Sequence, residues 1–154
     1  MTVTLERVPL PSADADTLIL ELNAELGARY PEDGACHFRL DPDEVGPGRG
    51  AFLIARVDGA PVSCGAVRLI EPTTVEIKRM YTRPAARGRG VALAVLDALE
   101  EAAADLGATR LVLETGVRQP EAIALYERAG FARIPPFGEY VDSPLSVCMA
   151  KDIA

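Results

Sequence analysis

Between two apolar runs, "AFLIARV" (51–57) and "APVSCGAVRLI" (60–70), stands the dipeptide Asp58-Gly59. Asp-Gly between strand-forming runs is a strong signal for a tight hairpin turn, and its flanks are rich in the residues that strands bury. A third run of the same kind, "TTVEIKRMYT" (73–82), follows the break at Pro72. Strands joined by such short connections run antiparallel, because a parallel pair needs a long crossover. The chain is therefore expected to build on an antiparallel meander of three strands.

The rest of the chain is arranged around that meander. "VTLERV" alternates like an opening strand, Pro9 to Asp14 supply a break and a Ser or Asp cap, and "TLILELNAELGARY" has apolar residues at helical spacing. Residues 31–50 are crowded with Pro, Gly and Asp, which predicts a loop with a short helical turn at Asp41 to Val45. After the meander the period changes. Ala92, Leu96, Leu99, Ala103 and Leu106 form one helical stripe, Asp97, Glu101 and Asp105 the other, and Gly107 ends the helix. "TRLVLETG" returns to strand, Pro120 opens a further helix stopped by Gly130, and "FARI" and "LSVCMAKDI" read as two closing strands.

At 154 residues the expectation is a single domain spanning 1–154. No apolar run approaches the roughly 18 residues of a membrane span. The N-terminal stretch lacks a basic region followed by an apolar core, which predicts a cytoplasmic protein. Cys36, Cys64 and Cys148 are scattered and His37 is the sole histidine, too few soft ligands for a zinc site, so no metal is expected. The formal net charge of −7 argues against broad attachment to nucleic acid.

Against that charge, five bases (Lys78, Arg79, Arg83, Arg87, Arg89) follow Glu76 with no acid before Asp97. They lead into Arg87-Gly88-Arg89-Gly90-Val91-Ala92, the start of the central helix. A helix leaves its first amide protons unpaired and is usually capped by Ser, Thr, Asp or Asn, with acids in the first turn. This helix has neither, an arrangement suited to a phosphate-bearing ligand, or else to amides satisfied by water beside solubilising arginines. A P-loop is excluded because no Lys-Ser/Thr pair follows the second glycine. A dinucleotide fingerprint fails because Leu93 holds the third glycine position and too little chain remains for a doubly wound sheet.

The stretch resembles the signature of the GNAT superfamily of N-acetyltransferases, Gln or Arg, two residues, Gly, one residue, then Gly or Ala, matched here by Arg87, Gly90 and Ala92. "EAIALYERAGF" resembles the family's second signature, around Ala122, Leu125, Tyr126, Gly130 and Phe131. The resemblance implies a mixed α/β fold with a mostly antiparallel central sheet, flanked by helices and splayed at the cofactor site. It also implies acetyl-CoA as acyl donor. The amides of Arg87, Gly88, Arg89, Gly90, Val91 and Ala92 would cradle the pyrophosphate, and Met80, Tyr81 and Thr82 would meet the pantetheine arm by main-chain contacts. Many relatives have Asn where this chain has Gln119, three residues before Ala122; the longer amide would have to reach the same cofactor group.

Acyl transfer from a thioester to an amine needs a base for the amine, a stabilised oxyanion and a proton for the leaving sulfur. The resemblance implies Tyr126 as the acid, a main-chain amide near Met80 for the oxyanion, and Glu76 as a candidate base. A core aromatic at Tyr126 and a sheet-face ion pair of Glu76 with Lys78 or Arg68 are the alternatives. Cys64 and Cys148 sit in apolar strands and read as buried thiols rather than nucleophiles. Arg68, Lys78 and Arg79 either recognise an anionic group on a small-molecule amine or balance acids on a solvated sheet face. Tyr30, His37, Phe38, Phe137 and Tyr140 would border the acceptor entrance in the family's fold. The resemblance allows a homodimer through the closing strands, and a non-catalytic acyl-CoA sensor or partner protein is the alternative function.

Overall fold

A computed structural model describes residues 2–31 and 40–153. Its elements are β1 (Val3–Val8), α1 (Ala13–Arg29), β2 (Gly50–Val57), β3 (Ala60–Glu71), β4 (Thr74–Thr82), α2 (Val91–Asp105), β5 (Arg110–Gly116), α3 (Pro120–Arg128), β6 (Ala132–Ile134) and β7 (Ser146–Asp152), with short 3₁₀ turns at Pro42–Val45, Pro84–Ala86 and Gly138–Tyr140. The strands form a seven-stranded sheet in the order β1-β2-β3-β4-β5-β7-β6. The expected meander is β2-β3-β4. Asp58 and Gly59 take φ of 52° and 84°, the positive pair that a tight hairpin of matching twist requires.

All pairings are antiparallel except β4 with β5, which the α2 crossover makes parallel. The last strand inserts between β5 and β6, so the closing strands β6 and β7 pair with each other while β5 and β6 are not neighbours. The first helix starts at Ala13, earlier than its apolar spacing from Thr17 suggests, because Asp14 and Asp16 fit the positive end of its dipole.

Side-chain alternation divides the core. Along β2, Phe52 and Ile54 join Leu18 and Leu22 of α1, whereas Ala51, Leu53 and Ala55 join Val95 and Leu99 of α2. A strand covered on both faces reads as a continuous apolar run, as this one does. The second cluster also takes in Ile123, Tyr126 and Phe131, so α3 and the turn after it close the α2 side of the sheet next to β5 and β7. No helix among the described residues is long and apolar enough to cross a membrane.

Two irregularities open the sheet in its middle. The β4 and β5 strands pair only from Thr74↔Arg110 to Ile77↔Leu113, after which they have no partners in each other and the sheet forks. On the other edge of β4, Cys64 pairs with Tyr81 and Ala66 with Lys78, two steps of β3 against three of β4. The extra residue lies at Arg79 and Met80, and Arg79 has φ of 60°, unusual for a residue with a side chain. A bulge thus turns β4 at the point where it leaves β5.

Candidate active site

An anion-suited backbone stands at the start of α2. Gly88 and Gly90 have φ of 76° and 79°, and an added Cβ at either meets nothing within 4 Å, so the left-handed backbone is what calls for glycine there. Gly90 is the N-cap, no side chain caps it, and the first turn holds no acid. Those first amides and the positive end of the helix dipole are available to an anion. Arg87 stands beside them, with Nε on the Thr82 carbonyl at 2.9 Å and Nη2 on Glu25 at 2.6 Å. Arg89 is exposed on the same loop. Val91 packs into the core and Ala92 is half-buried, so here only the backbone is presented.

At the fork between β4 and β5 lies a cleft, with Met80, Glu114, Thr115, Gln119, Tyr126 and Tyr140 in its lining. Tyr81 faces the opposite layer and its hydroxyl donates to Glu21 at 3.2 Å, while Thr82 shares a hydrogen bond with Ser63 at 2.9 Å. Both side chains are thus used internally, as main-chain recognition of a ligand along this edge would permit. Gln119 is the N-cap of α3 and Ala122 lies in its first turn, and through Gln119 this second helix start, which has no glycine, lines the cleft. Gly116 lets the two elements come this close. A Cβ there would lie 1.7 Å from the Tyr30 hydroxyl and 3.0 Å from Gln119 Oε1.

Tyr126 is 6% exposed, lies edge-on to Phe131 with ring centroids 5.8 Å apart, and its hydroxyl has no hydrogen bond to any described residue. Burial first, and then the Glu114 carboxylate, push its phenol well above the ordinary range. Tyr126 therefore keeps its proton at neutral pH.

Glu76 sits 2% exposed on β4, facing the α1 side. Its Oε1 accepts from Arg68 Nε at 3.0 Å and Nη2 at 2.8 Å, and its Oε2 accepts from the Tyr140 hydroxyl at 2.6 Å. Arg68 also pairs with Glu44. The expectation of acids balanced on a solvated face is half right: Arg68 does balance acids, but in a buried network rather than in water. Burial and the adjoining Glu76 push the Tyr140 phenol far up.

Glu114 is the group that sequence reading passed over as anything more than the acid at a strand end. It lies one position past the last β4–β5 pair, accepts from the Ser146 hydroxyl at 2.6 Å, and opens on the cleft. Burial raises its pKa to about 7; Glu76 and Glu139 add to the rise, while Ser146 and Lys78 oppose it. No spacing rule finds such a residue, because Ser146, Tyr140 and Lys78 reach it only through the fold.

Tyr30 is a packing residue rather than part of an entrance. It is 6% exposed, its hydroxyl accepts from the Arg118 amide at 2.9 Å, and with the Arg29–Glu121 pair it ties α1 to the start of α3. Phe137 stacks edge-on against Tyr140 at 5.3 Å. His37, Phe38 and Cys36 lie outside the described residues. Cys64 is buried, donates to the Arg79 carbonyl at 3.3 Å, and is pushed up to about 12 by burial; Cys148 is raised for the same reason. Neither forms a nucleophilic thiolate readily.

Comparison with known proteins agrees with this geometry. Residues 19–131 match the Acetyltransferase (GNAT) family. The chain is 40% identical over 137 residues to an IAA acetyltransferase of Azospirillum brasilense, covering 88% of each. A crystal structure assigned as an acyl-CoA N-acyltransferase from Klebsiella pneumoniae superposes with a TM-score of 0.85 at 34% identity, over 98% of this chain and 97% of that one. The PaiA N-acetyltransferase of Thermoplasma acidophilum, solved with coenzyme A, shares the fold at a TM-score of 0.74 and 15% identity, over 99% of this chain and all of that one. The chain belongs to the GNAT family of acetyltransferases and, with it, to the acetyl-CoA-dependent N-acetyltransferases.

Proposed function

We propose that the protein, acting as one domain over residues 1–154, moves an acetyl group from acetyl-CoA to a primary amine of a small molecule by direct attack. The observation that carries the reading is the Tyr126–Glu114 arrangement: a buried, unpartnered phenol and a carboxylate raised to about 7 face one cleft at the fork of the sheet. A carboxyl poised near neutral pH and a phenol that keeps its proton are the base and the acid that transfer from a thioester to an amine requires. Binding of coenzyme A by the Thermoplasma relative and the shared fold support acetyl-CoA as the donor.

The residues fit the donor at three places. The Arg87 amide is spent on the Pro84 carbonyl at 3.2 Å, so the amides from Gly88 to Ala92, at an uncapped helix start without acids, would hold the pyrophosphate, with Gln119 and Ala122 at the second helix start. The unpaired edge of β4 at Met80, Tyr81 and Thr82 would hold the pantetheine arm as an added strand. The bulge at Arg79 favours the Met80 amide as the oxyanion donor. Bound there, acetyl-CoA supplies an activated acyl carbon.

A primary amine arrives mostly protonated at neutral pH. Glu114 takes one proton from the ammonium, directly or through water, and the freed nitrogen lone pair then attacks the thioester carbon. As the carbon–sulfur bond breaks, Tyr126 gives its proton to the sulfur and regains one from the nitrogen of the tetrahedral intermediate, directly or through water. Glu76, the candidate base from sequence, already holds Arg68 and Tyr140, and reaches the cleft through the Tyr140 hydroxyl. The roles separate by experiment. Release of CoA is followed across pH for wild type, Glu114→Gln and Glu76→Gln. Loss of the limb near pH 7 in Glu114→Gln, with the limb kept in Glu76→Gln, assigns the base to Glu114. The opposite pattern assigns it to Glu76, and no amine-dependent CoA release in wild type removes the transferase reading.

A further inference from the structure

Lys78 and Arg79 are charged side chains of the cleft that the reaction does not use, and Arg79 already donates to Asn23. Lys78 is 7% exposed, yet its ammonium makes no hydrogen bond to any described residue; its one ion-pair contact is Glu139 Oε1 at 4.0 Å. An ammonium withdrawn from water with so little in return is costly unless a ligand completes it. Its position says where that ligand sits. Ile77↔Leu113 is the last β4–β5 pair, so Lys78 and Glu114 are the next position on each strand, on the same face of the sheet and on opposite arms of the fork. Neighbouring strands lie about 4.8 Å apart where they still pair, and these two diverge from there. Lys78 and Glu114 both line the cleft, and no ion pair joins them among the described residues.

A cation and an anion held apart across the reacting end of a cleft match a ligand that carries the opposite charges at the same spacing. From this we infer that the acceptor is an amino carboxylate, with its amine turned to Glu114 and its free carboxylate bound by the Lys78 ammonium. The inference rests on the transferase reading above. The acids around Lys78, namely Glu76, Glu44, Glu114 and Glu139, are partly neutralised by Arg68. Glu76 and Glu44 are both held by that arginine, leaving Lys78 the side chain that can turn to an incoming anion.

The test uses matched triples: an amino acid, its carboxamide and its decarboxylated amine, over several side chains, with amino phosphonates and polyamines alongside. CoA release with acetyl-CoA gives kcat and KM. Wild type is expected to prefer the free acid over its amide by roughly tenfold or more in kcat/KM, the scale of one charged hydrogen bond. Lys78→Met should abolish that ratio mainly through KM, and Lys78→Arg should retain a preference. The rise in Tm with acetyl-CoA checks that each variant folds and separates the two readings. If acetyl-CoA stabilises none of the proteins, the transferase reading itself fails. If it stabilises them all, the assignment is overturned by equal use of acid and amide, by preference for polyamines or phosphonates, by turnover of none of the panel, or by an unchanged ratio in Lys78→Met.

Discussion

Loss of the Tyr126 hydroxyl or of the Glu114 charge should leave the fold at least as stable as wild type, which separates catalytic from structural roles at both residues. The Tyr126 hydroxyl is buried with no partner among the described residues, so its removal relieves an unsatisfied group. Tyr126→Phe should melt at the wild-type temperature or above and bind acetyl-CoA normally, while kcat falls on the order of 10²-fold, the range of lost general acid catalysis. Full activity would make the residue a core aromatic. Glu114 titrates near 4.5 when unfolded and near 7 in the folded protein. Between those values the folded state holds a proton that the unfolded chain does not, so stability falls as pH rises through this window. Glu114→Gln should therefore be more stable than wild type by roughly 1–3 kcal/mol at about pH 8 and little changed near pH 5. Thermal melts at the two values check it, and an equal shift at both would remove the raised carboxyl.

At the scale of elements, what the sequence spelled out was local punctuation. Asp58-Gly59, the glycines before α2, Pro120 and Gly130 each mark a boundary by their own backbone preferences, so the element order and the phosphate-suited helix start could be read directly. The fork, the bulge at Arg79 and the insertion of β7 beside β5 could not, because each is a pairing between segments far apart in the chain. The same reason hid Glu114 and left Lys78 one of three bases that could meet an anion, since the properties of both come from neighbours on other strands. The joint between β5 and α3 is another such product. At Gly116 a methyl group would collide with the Tyr30 ring, so Gly116→Ala should cost about 1–3 kcal/mol by overpacking and loosen the α1–α3 tie. Urea unfolding measures the loss; a variant as stable as wild type would show that Tyr30 moves freely.

For the molecule as a whole, the sheet serves as a frame that two helix starts and one fork turn into a binding cleft. The β4 strand belongs to both sides of that design, paired to β3 along its length and released from β5 at Lys78. The β4 edge at Met80 and Tyr126 line that cleft, and the central claim is that the uncapped start of α2 joins them in one site for a CoA thioester. Heat unfolding of the protein with acetyl-CoA, CoA, NAD and ATP in turn tests it most directly, since a ligand that favours the folded state raises the midpoint. The account predicts a rise of about 5–10 °C at a hundredfold excess over Kd with acetyl-CoA and CoA, and none with NAD or ATP. Stabilisation by NAD or ATP instead, or by none of the four, would contradict it and detach Glu114 and Tyr126 from the roles given to them.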